Sequence, residues 1–183
     1  MLFVNTFLIS SAKNIDFNMK LWYPFICRLG AFMMTAGQYM EIAIEQAELA
    51  KQKGEVPIGA VIVKDGQIIS KGYNLRETNK NATSHAEIIA IEMACKKLDS
   101  WRLDDCSIYV TLEPCMMCAG AIIQSRIKNV YFGGFDKKAG AFGTVVDFAT
   151  MNFTHKVNVY AGIMEEECSK ILKDFFSELR KTK

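Results

Sequence analysis

From Gly37 onward the apolar positions of the chain switch between helical and strand-like spacing. Met40, Ala43, Ile44, Ala47 and Ala50 recur at helical spacing, with Glu41, Glu45 and Glu48 on other faces, which predicts an amphipathic helix. Gly54, following Lys51 and Lys53, marks its end. "VPIGAVIV" and "QIISKGYN" then flank Asp65-Gly66, a pair suited to a tight hairpin turn. A helix over about residues 85–98 follows, then a strand at "SIYVTL", a helix from near Pro114 through "CAGAIIQS", and a strand at "NVYFGG". A glycine-bearing loop over 133–144 leads to a last strand near "KVNVYA". The closing helix carries Met164, Cys168, Ile171, Leu172, Phe175 and Leu179 on one stripe. The order α-β-β-α-β-α-β-β-α predicts an α/β protein with one sheet and helices packed on its faces.

The first 33 residues stand apart from this pattern. "LFVNTFLIS" and "LWYPFICRLGAF" are apolar but interrupted by Asn5, Lys13, Asp16, Lys20, Pro24 and Arg28, and neither reaches the roughly 20 apolar residues of a membrane span. No positive start precedes the apolar run, as a secretory signal requires. Residues 1–33 are therefore expected to be an appended N-terminal extension, disordered or an upstream-start artefact. Folding is expected to begin around Met33 or Met34, with 34–183 forming one domain.

Composition narrows the class without naming a partner. Half of the 183 residues are hydrophobic and 23% charged, as in a globular protein with a substantial core. The net charge of +2, from 22 basic against 20 acidic residues, permits a nucleic-acid partner but does not argue for one. Of the six cysteines, only Cys115 and Cys118 are closely spaced. Cys27, Cys95, Cys106 and Cys168 read as small hydrophobes, so a reducing, cytoplasmic compartment is expected rather than a disulfide framework.

Two short stretches carry candidate chemistry. In "TSHAEIIAIE", Ser84 and Glu87 have the spacing of a capping box, which would merely start a helix. In "TLEPCMMCAGA", Pro114 suits the first helical position and places Cys115 and Cys118 at a helix N-terminus, where the dipole favours thiolates. The two thiolates supply two tetrahedral metal positions and His85 can supply a third. Three ligands with an open fourth position are the pattern of a catalytic zinc site, and Glu87 can carry protons beside it. A structural zinc closed by Cys95, Cys106 or His155 lacks suitable spacing, and a redox Cys-x-x-Cys would leave His85 and Glu87 without a task.

His85-Ala86-Glu87 together with Pro114-Cys115-Met116-Met117-Cys118 matches the signature of the zinc nucleobase deaminases. The signature alone leaves adenine, guanine, cytosine and nucleotide substrates open, along with a non-catalytic zinc-stabilised RNA-binding module. From about Gln38 to the C-terminus the chain resembles the bacterial tRNA-specific adenosine deaminases. The resemblance is carried by "GEVPIGAVIV", "YNLRE", "HAE", "VTLEPCMMCAGAIIQSRI", "VYFGGFDKKAGAFGTVVD" and "GIMEEECSKILKDFFSELR".

That resemblance implies a cytidine-deaminase-like three-layer fold, with a central mixed sheet of about five strands and helices on both faces. It implies hydrolytic conversion of the wobble adenosine of a tRNA anticodon loop to inosine, by zinc-activated water. One zinc per chain would be held by His85, Cys115 and Cys118, with Glu87 as the proton shuttle. Asn74 would hydrogen-bond the flipped nucleoside, and Asp136 would lie near the sugar of the preceding nucleotide, where it can accept from a 2′-hydroxyl. Backbone N–H groups near Ala86 and Cys115 can orient the base.

Phe175 and Phe176 are adjacent, so one is expected in the core and the other, assigned to Phe176, against a base or a partner subunit. Lys137, Lys138, Arg180, Lys181 and Lys183 are candidate phosphate contacts. A homodimer is implied by the resemblance. "GAFGT" lacks the lysine of a phosphate-binding loop, so no nucleotide cofactor is inferred. Two departures stand out: Ala82 where many relatives carry proline, and Phe135 where many carry a basic residue.

Overall fold

The computed structural model describes residues 34–181. The expectations for residues 1–33, for Cys27 and for Lys183 lie outside the described residues. The helix α1 (Ala36–Gln52) opens with a capping box: the Thr35 hydroxyl accepts from Gln38 N at 3.3 Å, and Gln38 Oε1 accepts from Thr35 N at 2.8 Å. Tyr39, Met40, Ala43, Ala47 and Ala50 form its buried face.

The hairpin of β1 (Gly59–Lys64) and β2 (Gln67–Tyr73) turns at Asp65 and Gly66, whose φ values of 50° and 75° are the pair of positive angles that a two-residue turn of this hand needs. A short helix, α2 (Arg76–Asn79), follows that the apolar spacing did not reveal, because four residues give no period to read. Then come α3 (Ala86–Leu98), β3 (Ser107–Leu112), α4 (Met116–Gln124), β4 (Asn129–Gly134), β5 (Asn158–Tyr160) and α5 (Glu165–Lys181).

The five strands make one mixed sheet in the order β2-β1-β3-β4-β5, antiparallel as far as β3 and parallel from β3 to β5. Alternation along β1 sorts the two cores. Ala60 and Ile62 pack with Ala86, Ala90, Ile122 and Phe132 beneath α3 and α4, while Val61 and Val63 pack with Tyr39, Met40, Ala43 and Cys168 beneath α1 and α5. Helices therefore cover both faces, as expected. Tyr109, Tyr131 and Tyr160 stack across β3, β4 and β5 at 4.5 Å between successive rings.

Cys106 and Cys168 are buried and Cys95 half-buried, all as free thiols. Among the described residues no helix is long and apolar enough to cross a membrane. The closing helix α5 departs from the expected apolar stripe: only Cys168 is buried, and Leu179 is exposed. Cys168 fits against Gly133, where a Cβ would stand 2.8 Å from the Cys168 Cβ, so α5 packs closely on β4 at this point.

Glycine is required where α3 lies against the sheet. A Cβ on Gly72 would run into the Ala86 carbonyl and stand 2.7 Å from Ala90 N, at the helix start that follows His85. Gly72→Ala is expected to cost about 1–3 kcal/mol through overpacking, seen as a lower midpoint in urea or thermal unfolding.

Candidate metal centre and active site

Two helices begin face to face. His85 is the N-cap of α3 and Cys115 the N-cap of α4, both with extended backbone (φ −77°, ψ 154° and φ −72°, ψ 171°). Neither side chain bonds back to its own helix. They turn to each other instead: His85 Nδ1 lies 3.7 Å from Cys115 Sγ and 3.5 Å from Cys118 Sγ. Cys118 is the third residue of α4, so the Cys-x-x-Cys spacing brings both sulfurs to one helical turn.

The three donor atoms lie within 4.8 Å of one another, and among the described residues only this group of His, Cys, Asp or Glu does so. Two sulfurs and an imidazole nitrogen are donors that zinc accepts at a tetrahedral site, with one position left open, so the residues present fit one zinc ion. His155, weighed above as a closing ligand, is occupied elsewhere, with Nε2 2.7 Å from Ile127 O.

Two local expectations are corrected. Ser84 does not cap α3: it is buried and accepts from Asn79 Nδ2 at 3.2 Å, and the helix begins one residue later than a capping box requires. Glu87 consequently falls at the second helical position, with its carboxyl buried, instead of reaching back to the cap. Pro114 likewise precedes the cap of α4 and is not its first residue. The metal-binding spacing at both helix starts takes the place of ordinary capping.

The protonation equilibria are linked. A hydrogen bond from the Cys118 thiol, against burial and aided by His85, pulls Cys115 down to about 4. Cys118, donating to that thiolate and buried, is pushed up. His85 is raised chiefly by its bond to Cys115. Burial, with Glu87 only 4% exposed, pushes its carboxyl up to about 7; Cys115 adds to this and His85 opposes it. Both helix starts present the positive ends of their dipoles here, which favours ionised sulfur.

Asn74 follows β2 and is 3% exposed, with its backbone N–H on Ile58 O at 3.0 Å and Nδ2 donating to Glu55 Oε2 at 3.4 Å. Glu55 also accepts from Thr78 N at 2.6 Å and Glu77 N at 3.2 Å, tying α2 to Asn74. Burial works against its charge, but the Thr78 and Glu77 N–H donors hold its carboxyl below the usual carboxylate range. Glu55 was missed in the sequence; its signal was an acid in the short connection between α1 and β1. Ala86 is the first residue of α3, at the helix start where N–H groups are unpaired by the helix itself.

Asp136 lies in the loop after β4, with Oδ1 accepting from Lys138 N at 2.9 Å. Phe176 is not part of the donor group. Its exposed ring packs edge-on against Phe175 at 5.4 Å and lines a cleft of about 380 Å³ with Lys138, Leu172, Lys173 and Arg180. Neither phenylalanine belongs to the core, because α5 buries only its Cys168 edge. Ahead of His85, Asn81 Oδ1 accepts from Thr83 N (3.0 Å) and Thr83 Oγ1 (2.9 Å), closing the turn across Ala82. Phe135 sits edge-on to Phe132 at 5.4 Å.

A carboxyl buried beside a soft three-donor set, on a mixed sheet flanked by helices, is the arrangement of the metal-dependent deaminases. The family model of MafB19-like deaminases matches residues 34–180. The chain is 51% identical over 146 residues to the tRNA-specific adenosine deaminase of Bacillus subtilis (strain 168), covering 79% of this chain and 91% of that protein. To the tRNA-specific adenosine deaminase of Aquifex aeolicus (strain VF5) it is 45% identical over 145 residues, covering 78% of this chain and 94% of that protein. A structure solved in work on A-to-I editing by tRNA:A34 deaminases superposes with a TM-score of 0.72 at 43% identity, covering 74% of this chain and 99% of that one. The chain belongs to this deaminase family, among the relatives of the tRNA-specific adenosine deaminases.

Cys115→Ala is expected to lose zinc and activity together, because one of three donors is gone. Metal content per folded chain checks this, with full retention of zinc counting against the donor set.

Proposed function

We propose that this protein deaminates adenosine to inosine at the wobble position of a tRNA anticodon loop. The observation that carries the reading is Glu87 buried beside the His85, Cys115 and Cys118 donors in a chain 51% identical to a tRNA-specific adenosine deaminase. His85, Cys115 and Cys118 hold one zinc ion. Bound there, zinc supplies a Lewis acid that brings the ionisation of water toward neutral pH.

The chain's own residues do the rest. Glu87 takes one proton from the attacking water and delivers it to the ring nitrogen beside the amino-bearing carbon, then moves the water's other proton, from the hydroxyl left on that carbon, to the departing amino group. Water supplies the carbonyl oxygen of inosine and ammonia leaves. Asn74, its amide anchored on Glu55, hydrogen-bonds the flipped nucleoside, and the N–H groups at the Ala86 helix start orient the base. Asp136 accepts from the 2′-hydroxyl of the preceding nucleotide, which favours RNA over DNA. Phe176 offers a ring to a loop base beside Lys138, Lys173 and Arg180, which neutralise phosphates.

An unpaired loop base is cheaper to flip out than one in a duplex, which suits an anticodon loop. The working unit is a cytoplasmic homodimer of the domain 34–183.

Glu87→Ala is expected to give folded, zinc-loaded protein whose inosine formation in an anticodon stem–loop RNA falls at least about a hundredfold. Normal turnover in that variant would remove Glu87 from the mechanism. Asn74→Ala is expected to keep zinc and raise KM for the same RNA about tenfold, as loss of a hydrogen bond to the base would. An unchanged KM would return Asn74 to the role of a turn residue after β2. Free guanine, cytosine and adenine assayed alongside are expected to remain unreacted.

A further inference from the structure

Glu113 takes no part in the chemistry above, yet it is among the most enclosed charged residues of the domain, at 2% exposure. It stands between β3 and the Cys115 turn. Its Oε1 accepts from Phe142 N at 2.9 Å and Thr144 N at 3.2 Å. Its Oε2 accepts from Asp136 N at 3.2 Å and from the Thr144 hydroxyl. Every one of these donors comes from the single loop that starts at Asp136.

Two more contacts join the loop to the zinc-ligand turn: Ala141 N donates to Pro114 O at 2.9 Å, and Cys115 and Gly140 form a β-bridge. Gly140 leaves the space that this requires, since a Cβ there would press into the Glu113 carboxyl and stand 2.7 Å from Asp136 O. A carboxylate is an acceptor-only group, costly to bury unless its oxygens are satisfied. Here three backbone N–H groups and one hydroxyl satisfy them. An apolar residue of the same size would fill the volume but leave those N–H groups without partners.

We propose that Glu113 is a positioning residue for substrate selection: by holding the Asp136 backbone N–H, it fixes the Asp136 carboxylate relative to the turn that carries Cys115. The inference rests on the reading of Asp136 as acceptor for the preceding 2′-hydroxyl. Asp136 Oδ1 is already committed to Lys138 N, so the backbone anchor at its own N–H decides where its other oxygen stands.

Glu113→Gln tests the anchor selectively. The amide oxygen retains Phe142 N and Thr144 N, while the amide nitrogen faces the other pair. The Thr144 hydroxyl can reverse its role and accept, but the Asp136 N–H cannot and loses its partner. Two substrates are compared by kcat/KM: an anticodon stem–loop RNA, and the same RNA with a single 2′-deoxynucleotide immediately before the target adenosine. Zinc content is measured on each variant.

Glu113→Gln is expected to keep one zinc per chain and leave kcat within about twofold, while the ribose-over-deoxyribose preference falls about tenfold through a raised KM for RNA. Combined with Asp136→Ala it is expected to add nothing further to that loss. Gly140→Ala, which displaces the same carboxyl from the opposite side, is expected to lower the preference likewise and carries the test should Glu113→Gln fail to fold. A zinc-loaded Glu113→Gln with undiminished preference, beside an Asp136→Ala that loses it, overturns the inference. Undiminished preference in Asp136→Ala itself overturns the reading of Asp136, and the inference with it.

Discussion

The rest of the structure depends on two helix starts meeting with their capping side chains turned toward each other. At an ordinary N-cap the side chain folds back onto the first-turn N–H groups. His85 and Cys115 occupy the cap positions of α3 and α4 and make no such bond. Their backbone is already extended, so the side chains leave the helix axes and converge, with Cys118 reached one turn into α4. Local capping energy is given up at both ends, and the first-turn N–H groups remain a positive field around two sulfurs. A metal ion bound there would make up for that lost capping through its donors.

That meeting point requires a sheet that brings α3 and α4 onto the same face at close range. Gly72 lets α3 lie against β2, with no room for even a methyl group beside Ala86 and Ala90. The alternating β1 residues then divide the interior between the helix pair that carries the site and the pair, α1 and α5, that backs the sheet. Around the site, buried carboxylates fasten the loops. Glu55 collects the N–H groups of α2 and the Asn74 amide, and Glu113 collects those of the loop that starts at Asp136. Each sits where an irregular segment would otherwise enter the interior with unpaired N–H groups. Loops expected to move against a substrate are in this way tied to rigid parts of the fold.

The face formed by α5 follows a different logic. It touches the sheet chiefly through Cys168 at Gly133 and keeps Phe176, Leu179, Lys173 and Arg180 toward solvent. Lys138 reaches the same cleft from the Asp136 loop. An aromatic ring beside cations is suited to an unpaired base and its phosphate, and one of those cations, Lys138, lies on the loop that Glu113 anchors.

Periodicity and turn chemistry by themselves determined the order of the elements: the spacing Met40 to Ala50, the Asp65-Gly66 turn and the strands at "SIYVTL" and "NVYFGG" all report local preference or burial on one face. The grouping of His85, Cys115 and Cys118 was legible too, because His-x-Glu and Pro-Cys-x-x-Cys place donors at fixed steps along two helix starts. Where a helix begins was not legible. Ser84 and Glu87 have capping-box spacing, yet α3 starts one residue late because His85 is drawn across to Cys115 and Cys118, partners 30 and 33 residues away. The fate of Phe175 and Phe176 was not legible either, since the apolar stripe of α5 says what can be buried and only the contact at Gly133 says how much is. Glu55 and Glu113 escaped for a related reason. A single acid carries no period, and its value lies in backbone N–H groups that tertiary structure alone brings to it.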